Sequence, residues 1–157
     1  MKLKFEPNLK FQLDAINSVT ELFAGAPFIK PEEAIFSEVA SNILKISPEE
    51  VFANRDKIIK NNGIASAHKE DALEFCVEME TGTGKTYVYL RSILELHKKY
   101  GLSKFIIVVP SVAVKEGVMK TLEITKAHFE ELYNSMPYSY FEYDSKKINK
   151  VWTAPPN

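Results

Sequence analysis

Apolar side chains recur every three or four residues in residues 8–24, 85–100 and 112–133, a spacing that predicts three amphipathic helices. Local signals mark where these helices begin and end. Gly101 is expected to end the second helix, and Ser111 to cap the first turn of the third. For the first helix, an asparagine at residue 8 is the expected cap.

Two further helices are predicted between the first two. Residues 30–33 and 47–50 each place a proline at the first helical position with two glutamates behind it. Ser47 and Glu50 have the spacing of a capping box, in which the two residues bond reciprocally through side chain and backbone. The asparagines and the glycine of residues 61–63 are expected to end the second of these helices.

Three segments carry the pattern of β-strands. Residues 74–79 alternate β-prone side chains, residues 105–109 are a continuous apolar run typical of a central strand covered on both faces, and residues 138–143 resemble a third strand. Cys76 lies in the first of them and is expected to be a small apolar core residue rather than a nucleophile. Strands that alternate with helices predict an α/β fold with a parallel sheet and flanking helices.

Composition restricts the class of protein. A chain of 157 residues with 45% apolar and 26% charged residues fits one globular domain, and a net charge of −1 argues against a surface that is basic throughout. Any contact with nucleic acid is therefore expected to be local. One cysteine and three scattered histidines offer neither a disulfide framework nor a zinc site, and no signal peptide or membrane span is predicted. We expect a cytoplasmic protein.

The chemistry concentrates in Met-Glu-Thr-Gly-Thr-Gly-Lys-Thr, residues 79–86, between a predicted strand and a predicted helix. This position suits a phosphate-binding loop, although the usual first glycine is a methionine here. Gly82 and Gly84 would allow the tight turn that points backbone N–H groups at a phosphate. As catalytic residues, Lys85 would contact the β- and γ-phosphates and Thr86 would bind Mg²⁺. The alternative is a purely structural strand-to-helix turn.

Residues 79–86 resemble motif I of superfamily 2 helicases, and more narrowly the restriction (Res) subunit of type III restriction-modification enzymes. Residues 105–118 are similar to motif Ia of the same family, which contacts the phosphates of a bound nucleic acid. The resemblance implies that Pro110, Ser111 and Lys115 contact DNA. On its own terms, a helix N-terminus with a hydroxyl and a lysine is a reasonable phosphate contact, and capping alone is the other reading of Ser111.

Gln12 is a polar residue on the apolar face of the first predicted helix. A buried amide needs a partner, and the edge of adenine, with one donor and one acceptor, would satisfy it. Residues 11–16 resemble the family's Q motif, whose glutamine has this role, whereas a hydrogen bond to nearby backbone is the alternative. The residues expected to bind ATP are Gln12, Thr81, Gly82, Thr83, Gly84, Lys85 and Thr86.

The resemblance implies a P-loop NTPase (RecA-like) fold and an incomplete first motor lobe. It covers residues 8–24 and 75–147, and the chain contains no Asp-Glu pair of the kind that such ATPases use to hold Mg²⁺ and activate water. We therefore expect one piece of a longer motor that does not hydrolyse ATP alone. The expected divisions are an adenine-reading helix (8–25), a helical insertion (26–70), a P-loop core (71–147) and an irregular tail (148–157).

The resemblance also implies the function and the partners. ATP and Mg²⁺ would be the cofactors, double-stranded DNA would be contacted through its backbone, and the modification (Mod) methyltransferase subunit would be the partner in the intact system. The chain would then be the ATP-binding part of the DNA translocase of a type III restriction endonuclease. Two alternatives stay open, namely another superfamily 2 helicase or P-loop NTPase, and a catalytically dead interaction module.

Overall fold

The structure is a computed structural model that describes residues 5–36, 39–40, 42–64 and 72–143. Its elements, in chain order, are α1 (Lys10–Thr20), a 3-10 turn (Glu21–Phe23), a second 3-10 turn (Pro31–Ala34), β1 (Ile35–Phe36), β2 (Val39–Ala40), α2 (Pro48–Asn61), α3 (Lys85–Tyr100) and α4 (Val112–Leu132). None of the helices in these ranges has both the length and the apolarity that crossing a membrane would require.

Helix α1 lies along α3, and the two helices run in the same direction. At their N-terminal ends, Gln12 contacts the backbone of Thr83, just before α3 begins. At their C-terminal ends, the Tyr100 hydroxyl donates a hydrogen bond to the carbonyl oxygen of Thr20 at 2.9 Å. Between these ends, two apolar residues of α1 pack on Val88. Contacts at both ends therefore fix the position of α1 along α3.

Helices α3 and α4 form the larger core, as the apolar spacing of residues 85–100 and 112–133 predicted. Its buried side chains are Tyr87, Leu90, Leu94, Val118, Leu122, Phe129 and Tyr133. The predicted ends are also confirmed. Gly101 follows α3 in the left-handed conformation that closes a helix, and the Ser111 hydroxyl accepts a hydrogen bond from the backbone N–H of Val114 at 3.3 Å.

The segment between α1 and α3 contains one of the two helices predicted there. Helix α2 begins after Ser47 with the predicted capping box, in which Ser47 and Glu50 each bond the backbone of the other. The other prediction is wrong, because the helical turn that starts at Pro31 ends after four residues. The apolar Ile35 and Phe36 that follow favour extended backbone, and they form β1. Helix α1 also begins one residue later than expected, with Leu9 rather than an asparagine as its cap.

The same segment is attached to the C-terminal end of α3 at two points. The backbone N–H of Ile29 donates to the carbonyl oxygen of Tyr100 at 3.1 Å. The side-chain oxygen of Asn42 accepts hydrogen bonds from the backbone N–H groups of Ser103 and Lys104, at 2.8 and 3.0 Å. Ile29 and Asn42 are therefore both held beside the C-terminal end of α3.

The predicted parallel sheet of a RecA-like lobe is wrong for the part of the chain that the structure describes. Residues 74–79, 105–109 and 138–143 have no regular secondary structure, and no backbone hydrogen bond joins one of these segments to another. The strand pairing that the described residues do contain is a two-residue antiparallel ladder between Ile35–Phe36 and Val39–Ala40.

The side-chain pattern predicted these strands. A strand, however, forms only when it hydrogen-bonds to a neighbouring strand, and a side-chain pattern does not show whether such a neighbour exists. The run at residues 105–109 was expected to be covered on both faces. Instead, Ile106 and Val108 are 91% and 87% exposed, so one face of the run is open. Cys76 is exposed as well, so the prediction that it is a core residue is wrong. The predicted irregular tail, residues 148–157, lies outside the described residues.

Gly101 provides a test of how α3 is joined to the segment before α2. Its φ is +77°, and a Cβ atom there would lie 2.0 Å from the carbonyl oxygen of Ile29. We expect Gly101→Ala to lower the free energy of unfolding by about 2–4 kcal/mol, because it combines backbone strain with a clash against backbone. Urea unfolding monitored by circular dichroism measures this change.

Two other glycines serve as matched controls. Gly63 has a φ of +68° with open space around it, so Gly63→Ala should cost only the strain, about 1 kcal/mol. Gly117 lies inside α4 with nothing within 4 Å, so Gly117→Ala should stabilise the protein by about 0.5–1 kcal/mol. Equal losses for Gly101→Ala and Gly63→Ala would contradict the tight contact with Ile29.

Candidate functional site

The loop before α3 is shaped by two glycines with positive φ, Gly82 at +83° and Gly84 at +85°. L-residues with side chains rarely adopt this conformation, which explains why the sequence places glycine at both positions. Between the two glycines, the Thr83 hydroxyl donates to the carbonyl oxygen of Glu80 at 2.6 Å. The loop therefore turns tightly and is closed on itself by its own backbone and side chains.

Helix α3 begins directly after this loop without a side-chain cap. The first hydrogen bond of the helix runs from the N–H of Val88 to the carbonyl oxygen of Gly84, at 3.0 Å. The N–H groups of the preceding residues thus have no partner within the helix, and together with the helix dipole they form a partly positive end. Such an end can bind an anion.

Lys85 and Thr86 are the first two residues of α3. The Lys85 ammonium donates a hydrogen bond to the carbonyl oxygen of Glu80 at 2.7 Å, so the lysine spans the loop. A carbonyl oxygen leaves the positive charge of the lysine uncompensated. Thr86 is half-buried, and Thr81 at the start of the turn is exposed. The structure therefore brings the predicted phosphate-contacting residues together at one helix end.

Gln12 is buried, as the apolar face of α1 predicted, and it contacts this loop. Its side-chain nitrogen donates to the carbonyl oxygen of Thr83 at 2.9 Å. A Cβ atom added at Gly84 would lie 2.7 Å from the same nitrogen, so a larger residue there would displace the glutamine amide from its present position. This backbone partner corresponds to the alternative considered for Gln12 from the sequence, and contact with adenine stays a prediction.

The residues predicted to contact DNA lie at the start of α4. Pro110 and Ser111 are exposed, and the Ser111 hydroxyl is used as the helix cap. The Lys115 ammonium forms an ion pair with the carboxylate of Glu142 at 2.6 Å. Hydrogen bonding to Glu142 raises the pKa of Lys115, so the lysine is charged at neutral pH. A phosphate would have to compete with Glu142 for this lysine.

Arg91 is a buried charged residue to which the sequence analysis assigned no role. Its guanidinium donates to the carbonyl oxygen of Pro7 and, at 3.4 Å, to the hydroxyl of Tyr133. That hydroxyl in turn donates to the carboxylate of Glu95 at 2.8 Å. This network attaches the residues before α1 to α3 and α4. In the sequence, the signal that could have identified Arg91 was its position as a charged residue on the apolar face of a predicted helix.

Two of the three histidines, His97 and His128, are partly buried and contact neighbouring groups. The Nδ1 atom of His97 lies 2.9 Å from the carbonyl oxygen of Leu102, and the Nε2 atom of His128 lies 2.9 Å from the hydroxyl of Tyr87. Burial lowers the pKa of His128, and the neighbouring charge of Arg91 adds to the effect. Within the described ranges, no group of three His, Cys, Asp or Glu side chains gathers as a metal site.

Comparisons with known proteins identify the family. The family model described as "Type III restriction enzyme, res subunit" matches residues 9–151. The Res subunit of the type III enzyme EcoP15I from Escherichia coli is 32% identical over 150 residues, which are 92% of this chain and 16% of that protein. The EcoPI Res subunit from Escherichia phage P1 is 30% identical over 151 residues, 93% of this chain and 16% of the relative.

A third relative matches a shorter stretch. The StyLTI Res subunit from Salmonella typhimurium is 46% identical over 76 residues, 47% of this chain and 8% of that protein. The chain thus spans a small part of the length of each of these curated relatives. With a family match over residues 9–151 and two relatives at 30% identity or more over nine-tenths of the chain, the protein belongs to the family of type III restriction enzyme res subunits.

Proposed function

We propose that the chain is the ATP-binding part of the DNA translocase motor of a type III restriction enzyme, a cytoplasmic machine. The observation that carries the proposal is the junction of the glycine loop and α3. Two glycines with positive φ lead into an uncapped helix end, and Lys85 stands at its first position. Backbone donors, a helix dipole and one positive charge together form a site for a polyphosphate.

The residues present fit a nucleotide and its metal. A Cβ atom at Gly82 would have no heavy atom within 4 Å, so the outer side of the loop has room for a phosphate. The N–H groups at the start of α3 would hold the β-phosphate, and Lys85, now bonded to the carbonyl oxygen of Glu80, would contact the β- and γ-phosphates. Thr86 would offer its hydroxyl to Mg²⁺, and the metal would supply positive charge that neutralises the phosphate oxygens.

Binding without turnover is the activity that we assign to this chain on its own. Hydrolysis needs an acidic group that holds the metal and activates water, and the sequence has no Asp-Glu pair. In the intact enzyme, ATP binding would drive movement along double-stranded DNA, and the Mod subunit would be the partner. The similarity to Res subunits supports this context.

A DNA contact at the start of α4 is the second part of the proposal. Pro110, Ser111 and Lys115 form an exposed helix N-terminus with a hydroxyl and a lysine, which suits the phosphates of the DNA backbone. Glu142 competes for the lysine through its 2.6 Å ion pair. Such a contact positions the duplex and reads no sequence.

Loss of the Lys85 charge tests the nucleotide site. Calorimetric titration of Mg-ATP should show saturable binding to the wild-type chain and roughly 10–100-fold weaker binding to Lys85→Ala, because a charge-assisted hydrogen bond contributes about 1.5–3 kcal/mol. Lys120→Ala is the control, since this lysine is exposed on α4 and pairs with Glu123. Absence of binding to a folded wild-type chain would refute the site, and the exposed Ile106 and Val108 would then favour an interaction module.

Gln12 offers a test of base recognition. If its amide reads adenine, Gln12→Ala should remove the preference for ATP over GTP and leave a similar, weaker affinity for both. Asn17→Ala is the control, because Asn17 is exposed on the same helix. Equal weakening of ATP and GTP with the preference retained would show instead that Gln12 supports the loop through Thr83 and does not read the base.

The DNA contact predicts opposite effects for the two members of one ion pair. Lys115→Ala should weaken binding to double-stranded DNA and reduce the slope of log affinity against log salt by about 0.9, the effect of one lost phosphate contact. Glu142→Gln should strengthen binding by freeing the lysine. Fluorescence anisotropy with a labelled duplex measures both effects, and Lys126→Ala on the exposed face of α4 is the control. Equal affinities for all variants would contradict the contact.

A further inference from the structure

The hydroxyl of Tyr89 is buried and has no hydrogen-bond partner among the residues that the structure describes. Its ring packs against the core between α3 and α4. A buried hydroxyl without a partner costs free energy, so its persistence calls for an explanation. Its position in α3, three residues after Thr86, suggests an explanation for the missing partner.

Long side chains in an α-helix lean toward its N-terminus and cover the residue three positions earlier. For Tyr89 that residue is Thr86. Because residues three apart are neighbours on a helix surface, Thr86 and Tyr89 share one face of α3. Burial raises the pKa of Tyr89, and the Thr86 hydroxyl opposes the rise by a smaller amount. No hydrogen bond joins the two hydroxyls in the structure.

We propose that Tyr89 is a positioning residue for Thr86 in the metal-bound state, an inference that rests on the proposed nucleotide site. A hydroxyl has one proton and two lone pairs, and a lone pair must face the metal for Thr86 to bind Mg²⁺. When the Thr86 hydroxyl donates its proton to the oxygen of Tyr89, its rotation is fixed and a lone pair points away from the helix. Tyr89 then gains the partner that it lacks.

Tyr138 provides a matched control within the same molecule. Its hydroxyl is also buried without a partner in the described residues. It lies elsewhere, beside a cavity of about 400 Å³ that Leu94, Phe105 and Phe129 also line. Tyr89→Phe and Tyr138→Phe therefore remove the same group from similar surroundings, and only the first removes it beside Thr86.

The test compares the affinity of these variants for ATP with Mg²⁺ and for ATP in EDTA, by calorimetry. Tyr89→Phe should bind Mg-ATP about fivefold more weakly than wild type, the effect of one ordinary hydrogen bond, and should bind metal-free ATP equally well. Tyr138→Phe should match wild type under both conditions. In a Thr86→Ala background, Tyr89→Phe should have no further effect, because the two residues act through one hydrogen bond.

Each other outcome overturns the inference in a recognisable way. Unchanged Mg-ATP affinity in Tyr89→Phe, or equal weakening with and without metal, would show that Tyr89 does not act through Thr86. A thermal unfolding midpoint far below that of wild type would assign Tyr89 a structural role, since removal of an unpaired buried hydroxyl should not destabilise the protein. A wild-type chain that binds no ATP would instead remove the nucleotide site itself, and this inference with it.

Discussion

The contact between α1 and α3 determines how the candidate site is arranged. Gln12 bonds the backbone of Thr83 at one end of the contact, and Tyr100 bonds the backbone of Thr20 at the other. Two fixed ends set both the register and the direction of α1 along α3. Because the glycine loop opens α3, the same contact places a buried amide beside that loop. Without it, Gln12 would be an exposed polar residue on an isolated helix.

The helices could be predicted from the sequence because their signals are local. The capping box at Ser47, the cap at Ser111 and the stop at Gly101 each involve residues within one turn of each other. Burial of Gln12 likewise follows from helical spacing alone. The sheet could not be predicted in this way, since a strand depends on a partner distant in sequence. Residues 105–109 have the apolar composition of a strand but pair with no other strand among the described residues.

The loop residues of the candidate site could also be identified from the sequence. The residues that pack around the loop and α3 could not. Glycines followed by lysine and threonine form a short local pattern that predicts phosphate binding, but the surroundings of Arg91 and Tyr89 depend on which helices pack together. The two lysines with predicted phosphate contacts also differ. Lys85 is held by a neutral carbonyl oxygen and Lys115 by a carboxylate. A phosphate would displace the neutral carbonyl oxygen from Lys85 more easily than the charged carboxylate from Lys115.

The attachment of Ile29 and Asn42 to residues that end α3 has a consequence for how the family can vary. Ile29 bonds to Tyr100, and Asn42 bonds to Ser103 and Lys104, so the two ends of the intervening segment stay close together. The entropy of closing such a loop grows only slowly with its length. Insertions and deletions within this segment can therefore accumulate during evolution while the register between α1 and the glycine loop is preserved.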